Sequence, residues 1–236
     1  MKALVLAGLV LLPSAGLMAR TAQERLNDAT AVFNEIMATP DRGIPQDLLA
    51  KASCVVIVPG EKKAAFVVGG EYGHGFAVCR RDNGRGWGPP GAVRLEGASV
   101  GFQIGASSTD VVLLVMNRDG MRKLMTDKFK LGADASVAAG PVGRTASAQT
   151  DAMMHAEMLA WSRARGIFAG VSLAGSTLRN DIDENEHIYG RRIPNSDILL
   201  SDMTIPPAAM ELDRALDRYS EFKEGSTADR SVRDHK

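Results

Sequence analysis

Cationic side chains able to hold an anion gather in three short stretches of this sequence. Residues 118–130 carry Arg118, Arg122, Lys123, Lys128 and Lys130 against Asp119 and Asp127, five bases to two acids. Arg144 closes the glycine-rich turn Gly140-Pro141-Val142-Gly143-Arg144. Arg163 and Arg165 flank a third turn at Gly166. Backbone N–H groups in such turns can point at an anion, and neighbouring guanidinium and ammonium groups supply the charge. Lys128, Lys130, Arg144, Arg163 and Arg165 are therefore the candidate anion-binding residues. A solvated surface of scattered ion pairs is the competing reading of any such charge run.

Nucleotide and nucleophile signatures fail at particular positions. A phosphate loop of the Walker type needs a Gly five before its last Gly, followed by Lys and Ser or Thr. Counting back from Gly143 gives Ala138, and Arg144 stands where Lys is needed. Gly84-Arg85-Gly86-Trp87-Gly88-Pro89 lacks the last Gly of a dinucleotide loop and places Pro where the helix should begin. Ser172 in Gly170-Val171-Ser172-Leu173-Ala174 misses the nucleophile elbow by its final residue. The histidines His74, His155, His187 and His235 have no metal-ligand spacing to one another or to cysteine. No metal or cofactor is expected. His155 with Glu157 matches part of a deaminase motif, but no Pro-Cys-x-x-Cys follows. Asp110 and Asp134 could act as general acid or base, but short carboxylates beside glycines more often fix turns by accepting backbone N–H bonds. A hydrolase built on Asp134, Ser136 and His74 requires those three groups to converge in one cleft. The sequence reads as a non-enzyme.

The two cysteines, Cys54 and Cys79, lie in apolar strand-like runs. In an oxidising compartment they can pair; two buried thiols are the other reading.

The elements that must position these groups follow from pattern. Balanced charge, 28 bases and 28 acids, argues against nucleic acid as a partner. Lys2 followed by the apolar run Ala3 to Leu12 and the break Pro13-Ser14-Ala15-Gly16 reads as a signal peptide over 1–19, too short to span a bilayer as a helix. No cysteine lies beside the cleavage site, so a lipoprotein anchor is not expected. The chain is expected to be exported, periplasmic or peripherally attached to the envelope. Thr21 to Ala38 predicts an amphipathic helix with Leu26, Ala29, Val32, Phe33, Ile36 and Met37 on one stripe. Its polar face is slightly acidic, which favours core packing over contact with anionic lipid. A second helix is expected near Pro45 to Ala52. Short strands follow from Cys54 onward, broken at Pro59-Gly60 and Gly69-Gly70, in an antiparallel meander. Glycines among strand formers at 69, 70, 73 and 75 predict bulges or close backbone approach in a strongly curved sheet. Asn117 caps a helix to Met125, Met153 to Arg163 has helical composition, and residues 179–187 form an acidic turn. Pro206 to Phe222 predicts a last helix before a polar tail. The fold class is α+β: a curved, mainly antiparallel, barrel- or sandwich-like sheet with an N-terminal helix and a few packing helices.

A set of motifs in fixed order carries a resemblance. These are Val68-Gly69-Gly70-Glu71-Tyr72-Gly73, Val100-Gly101-Phe102-Gln103-Ile104-Gly105, residues 132–144 (GADASVAAGPVGR), residues 162–173 (SRARGIFAGVSL) and Tyr189-Gly190. Together they resemble the SYLF domain, also called the Ysc84 actin-binding or DUF500 domain, over about residues 22–192. The resemblance implies lipid binding. Eukaryotic members bind phosphoinositides and, in yeast, actin filaments, usually beside an SH3 or FYVE module, and neither module is evident here. Bacterial members are exported proteins, so actin is not the expected partner in that setting. The family's Ser-Tyr-Ser-Arg-Ser-Arg run stands here as Ala160-Trp161-Ser162-Arg163-Ala164-Arg165, keeping an aromatic and both arginines. The acidic N-terminal helix argues against helix-driven membrane insertion. The expected organisation is a signal peptide (1–19), a lipid-binding domain (20–192) and a C-terminal extension (193–236). The expected partners are anionic phospholipids; an envelope scaffold or stress protein binding other proteins is the alternative.

Overall fold

The computed structural model describes residues 20–39, 43–81, 86–141, 155–164, 167–171 and 173–220, with the side chains of 63–69, 98–107 and 168 left out. Residues 1–19, read above as a signal peptide, together with Arg144, Arg165, Ser172 and the C-terminal residues 221–236, lie outside the described residues.

Two very long strands dominate. β1 (Cys54–Cys79) and β2 (Gly91–Val115) pair antiparallel over nearly their whole length, from Cys54 opposite Val115 to Ala77 opposite Gly91. The turns expected at Pro59-Gly60 and Gly69-Gly70 are absent. A register shift between Val58 and Glu61 absorbs Pro59 and Gly60, and Gly60 takes φ +58°. A bulge bends a strand without ending it, which turns a flat ribbon into a curl. β5 (Met158–Ala164) pairs with the far half of β2, and β7 (Thr177–Asn180) with its near half. β3 (Lys128–Lys130) pairs with β7, β6 (Ile167–Gly170) with β5, and β4 (Val137–Ala139) lies parallel to β5. The result is a strongly curled, mainly antiparallel half-barrel in an α+β fold.

Curling brings the two ends of β1 together. Cys54 and Cys79 form a disulfide with their Cα atoms 3.9 Å apart, and Arg80 donates its N–H to Ser53 O at 2.9 Å. Glycine permits the crossing: a Cβ on Gly75 would lie 2.1 Å from Ile57 O. A double Cys54→Ala, Cys79→Ala variant is expected to lose about 3 kcal/mol, the cost of freeing a loop of this length in the unfolded chain. Urea unfolding would read it; a loss below about 1 kcal/mol would assign the closure to strand packing alone.

The curled sheet is buried on both faces over much of its extent, so Cys54 to Val58 is continuously apolar. Val55, Ile57, Phe76, Val78 and Ala92 face a helical layer, while Cys54, Val56, Val58, Ala77 and Cys79 fill the barrel interior. In the helical layer, α1 (Ala22–Ala38) starts from a capping box in which Thr21 and Glu24 satisfy each other's backbone N–H. Its stripe of Leu26, Ala29, Val32, Phe33 and Ile36 is buried against the sheet. Beside it lie α2 (Gln46–Lys51) and α6 (Met210–Ser220), the latter preceded by a 3₁₀ turn at Pro207–Ala209. α6 places Leu212, Ala215 and Leu216 in the same core as α1, so residues 207–220 belong to the folded body.

Two further stretches differ from the sequence expectation. Met158–Ala164 is a strand, not helix: Met158 to Trp161 are all buried, and pairing with β2 decides their conformation over local propensity. Residues 179–187 are not a turn. β7 ends at Asn180, and α4 (Ile182–Tyr189) begins with Asp181 as N-cap and closes on Gly190 at φ +69°. The remaining helices are α3 (Arg118–Leu124), capped by Asn117, and α5 (Asn195–Ile198).

A candidate anion-binding face

Strand alternation puts Lys128 and Lys130 on one side of β3 with Phe129 buried between them. Both lysines are exposed on the outer face. Register then extends two rows across the sheet. Lys128 stands opposite Arg179 on β7, Arg179 opposite Arg94 on β2, and Arg94 opposite His74 on β1. The second row runs Lys130, Thr177, Glu96, Tyr72. Adjacent strands are about 4.8 Å apart, so the first row spans roughly 14 Å. Phe76, Val78 and Ala92 on the same face are covered by helices; the rows begin where that cover ends.

Counter-charges are few and local. Glu96 lies 3.4 Å from Arg179 and 3.9 Å from Arg94. Asp181 lies 3.8 Å from Arg94 and accepts a hydrogen bond from His74 Nδ1 at 2.7 Å. On its other side His74 Nε2 meets the Tyr72 hydroxyl at 2.8 Å, and the Arg94 guanidinium is also within hydrogen-bond reach of that hydroxyl. Burial pushes the Asp181 carboxyl up, but bonds from His74 and the Glu184 N–H, with the Arg94 charge, hold it below the usual aspartate range. Burial also pulls Arg94 down, and Asp181 with Tyr72 and Glu96 more than offsets this, so the guanidinium keeps its charge.

Arg163 sits elsewhere. It donates through Nε and Nη2 to Asp110 at 2.9 and 2.7 Å, and its Nη1 pairs with Glu35 of α1. Asp110 also accepts the Gly60 N–H at 2.9 Å. Asp110 is sixteen residues farther along β2 than Arg94, so Arg163 fastens α1 to the opposite end of the half-barrel and does not join Lys128 and Lys130. Arg144 and Arg165 lie outside the described residues. The start of the Gly140 turn is packing: a Cβ on Gly140 would lie 2.0 Å from the Trp161 indole, and Trp161 Nε1 donates to Pro141 O at 3.0 Å.

Each member of the hydrolase constellation is bonded to other groups. Asp134 accepts the Lys130 N–H at 2.8 Å, and Ser136 exchanges bonds with Glu157. His74 is engaged by Tyr72 and Asp181. Asp134 thus fixes a turn. Asp213 on α6 is a second perturbed acid, pushed up to about 6 by burial and then by Asp217. Its neighbours Val78, Pro90 and Leu212 belong to the apolar packing of α6, which accounts for the shift without a reacting partner.

Sequence reasoning missed Arg94, Arg179, Tyr72 and Asp181. The detectable signal was Asp181 with Glu184 three residues on, a helix-start pattern inside what read as an acidic turn.

Comparison with known proteins places these elements in context. A family model described as Ysc84, Las17-binding protein actin regulator, matches residues 96–219. The chain is 34% identical over 193 residues to the human SH3 domain-containing YSC84-like protein 1, covering 80% of this chain and 56% of that protein. Its bovine counterpart is 33% identical over the same shares. The Saccharomyces cerevisiae protein YSC84 is 33% identical over 180 residues, 75% of this chain and 38% of that protein. The chain thus spans little more than half the length of the mammalian relatives it matches.

Proposed function

The chain belongs to the Ysc84 family, and from that premise we propose that it is a non-enzymatic binder of anionic phospholipid headgroups at the cell envelope. The observation that supports this most is the exposed pair Lys128 and Lys130, with Lys128 aligned across the sheet with Arg179 and Arg94, and with Glu96 and Asp181 the acids within ion-pair distance of those arginines among the described residues. Arg144 and Arg165, which lie outside the described residues, are counted among the headgroup-binding residues in this reading. Arg163 contributes through its hold on α1, since its guanidinium is engaged by two carboxylates. The chain acts after export, with residues 1–19 removed as a signal peptide. The Cys54–Cys79 disulfide supports that, because such bonds persist in oxidising compartments. Among the described residues no helix is long and apolar enough to cross a membrane, and attachment is peripheral in this reading.

Co-sedimentation with vesicles of phosphatidylglycerol in phosphatidylcholine tests the proposal. Each basic residue near an anionic surface is worth about 1 kcal/mol. Lys128→Glu with Lys130→Glu should therefore weaken partitioning by about thirty-fold or more, and added salt should weaken wild-type binding. Equal binding to neutral and anionic vesicles at low salt would end this reading.

A second reading is an envelope scaffold that binds protein partners. The names of the relatives favour it: two Saccharomyces cerevisiae proteins at 34% identity over 180 residues are called LAS seventeen-binding protein 3. A partner retained undiminished by the Lys128→Glu, Lys130→Glu variant would support the scaffold over lipid binding.

A further inference from the structure

The Tyr72–His74–Asp181 chain lies beside the basic row and is oriented in a way that ion pairing alone does not require. Asp181 is only 3% exposed and its carboxyl is held in the charged form. A charged carboxylate accepts hydrogen bonds only, so His74 Nδ1 must carry a proton. With neutral imidazole, Nε2 is then the acceptor, and the Tyr72 hydroxyl donates to it. In that state the Tyr72 hydroxyl has spent its one proton on Nε2, so Tyr72, 42% exposed, has no donor left for an anion. With His74 protonated, Nε2–H donates to the Tyr72 oxygen, and the phenolic O–H is released outward as a donor. Both states use the same heavy-atom positions. The change adds one positive charge to a row that already holds Arg94, Arg179 and Lys128, and converts the tyrosine from acceptor to donor.

We propose that Tyr72, His74 and Arg94, backed by Asp181, form a proton-coupled site for a phosphate- or sulfate-type oxyanion, in which binding the anion takes up a proton on His74. Among the described residues, His74 bonds Tyr72 on β1 and Asp181 at the α4 cap and stands opposite Arg94 on β2, with Glu96 on β2 beside Arg94, Arg179 on β7 one strand beyond Arg94, and Lys128 of β3 at the end of the row. Only His74 changes both its own charge and the direction of its neighbour's hydrogen bond. By linkage, an anion that prefers the protonated form binds more tightly as pH falls. The inference takes the anion-binding reading above as its premise and adds the residues and the proton; the anion comes from a lipid headgroup or from a free oxyanion, which the two probes below separate.

Isothermal titration of the full chain in two buffers of different ionisation enthalpy measures the proton directly. Sodium sulfate is one probe, since sulfate does not titrate near neutrality; phosphatidylglycerol vesicles are the other. Net proton uptake is expected, with affinity rising as pH falls by up to about tenfold per pH unit, the limit for one linked proton. His74→Gln should abolish the uptake and flatten the pH dependence. Tyr72→Phe leaves the His74–Asp181 bond in place and should weaken binding severalfold at pH 6 while hardly changing it at pH 8. Uptake with sulfate assigns a free oxyanion, and uptake with vesicles alone assigns a headgroup. Binding of either probe without proton uptake, or uptake that survives His74→Gln, overturns the inference and leaves the lipid reading intact. Vesicle binding that ignores Lys128→Glu, Lys130→Glu while uptake persists would overturn the lysine assignment instead. Absence of binding by both probes overturns both.

Discussion

Gly75→Ala is expected to leave the chain unfolded at 25 °C, at a cost above about 4 kcal/mol. The reason is the crossing of β1 over its own beginning. A Cβ at position 75 would stand 2.1 Å from Ile57 O and 2.8 Å from the Cα of Val58. Both are backbone atoms of a strand that is paired to β2 along its length, with Ile57 opposite Val112 and Val58 opposite Val111. They cannot retreat without breaking that ladder, and interiors packed at crystal density offer no slack. Two other glycines of the strand supply the scale. At Gly73 the nearest atom to an added Cβ is Val58 Cγ1, 2.6 Å away, a side-chain methyl that can rotate. At Gly70 the nearest is Gly97 O at 3.9 Å, an ordinary contact. The expected order of damage is therefore Gly75→Ala, then Gly73→Ala at about 2 kcal/mol, then Gly70→Ala within about 1 kcal/mol of wild type. Urea midpoints followed by circular dichroism would rank them. A Gly75→Ala protein as stable as the Gly70→Ala protein would mean that β1 does not cross itself closely.

That series also marks where the sequence was legible. Glycines among strand formers announced curvature and close approach, and both are present. Which glycine is indispensable depends on the distance between residues eighteen apart in the chain, Ile57 and Gly75, and local pattern does not contain it. α1 was readable because a single apolar stripe at helical spacing is buried on one side. α4 was unreadable by the same criterion, because the side chains it buries are Glu184 and Asn185; a helix with a polar buried face has no hydrophobic period to detect. Met158 to Trp161 is apolar at every position, so its composition suits helix and strand alike until β2 supplies a partner. The candidate site divides the same way. Lys128 and Lys130 around Phe129 are a local alternation. Their alignment with Arg179, Arg94 and His74 is a matter of register among segments up to about a hundred residues apart, and only the folded sheet fixes it.

The buried face of α4 leads to the second large effect. Asn185 and Asn195 are both fully buried, and between them they replace a missing strand. β7 pairs with β2 only as far as Val93, opposite Asn180. At the next residue, Ala92, the open N–H donates to Asn185 Oδ1 at 2.7 Å, and the C=O accepts from Asn195 Nδ2 at 3.0 Å and from the Asp181 N–H at 3.0 Å. Asn185 Nδ2 in turn donates to Ile193 O and Asn195 Oδ1, each at 2.9 Å. Asn185→Ala would orphan the buried Ala92 N–H, remove a donor from two carbonyl-type oxygens and leave a void. Each unmet buried group costs about 1–3 kcal/mol, so a loss of about 4 kcal/mol is expected. Asn185→Asp is predicted to be no better, because a carboxylate keeps the bond from Ala92 but cannot donate to Ile193 or Asn195 and would bury a charge. Native-state hydrogen exchange gives the discriminating readout. The Ala92 amide should lose its protection in Asn185→Ala, which removes its acceptor, and keep most of it in Asn195→Ser, which spares the Asn185–Ala92 bond and removes only the support of Asn195. Protection unchanged at Ala92, with under about 1 kcal/mol lost in Asn185→Ala, would show that the strand end needs no side-chain partner. Because Asp181 caps the same helix and holds His74, loosening α4 should also weaken anion binding on the outer face, whereas the Gly73→Ala lesion acts on the opposite, interior side of β1.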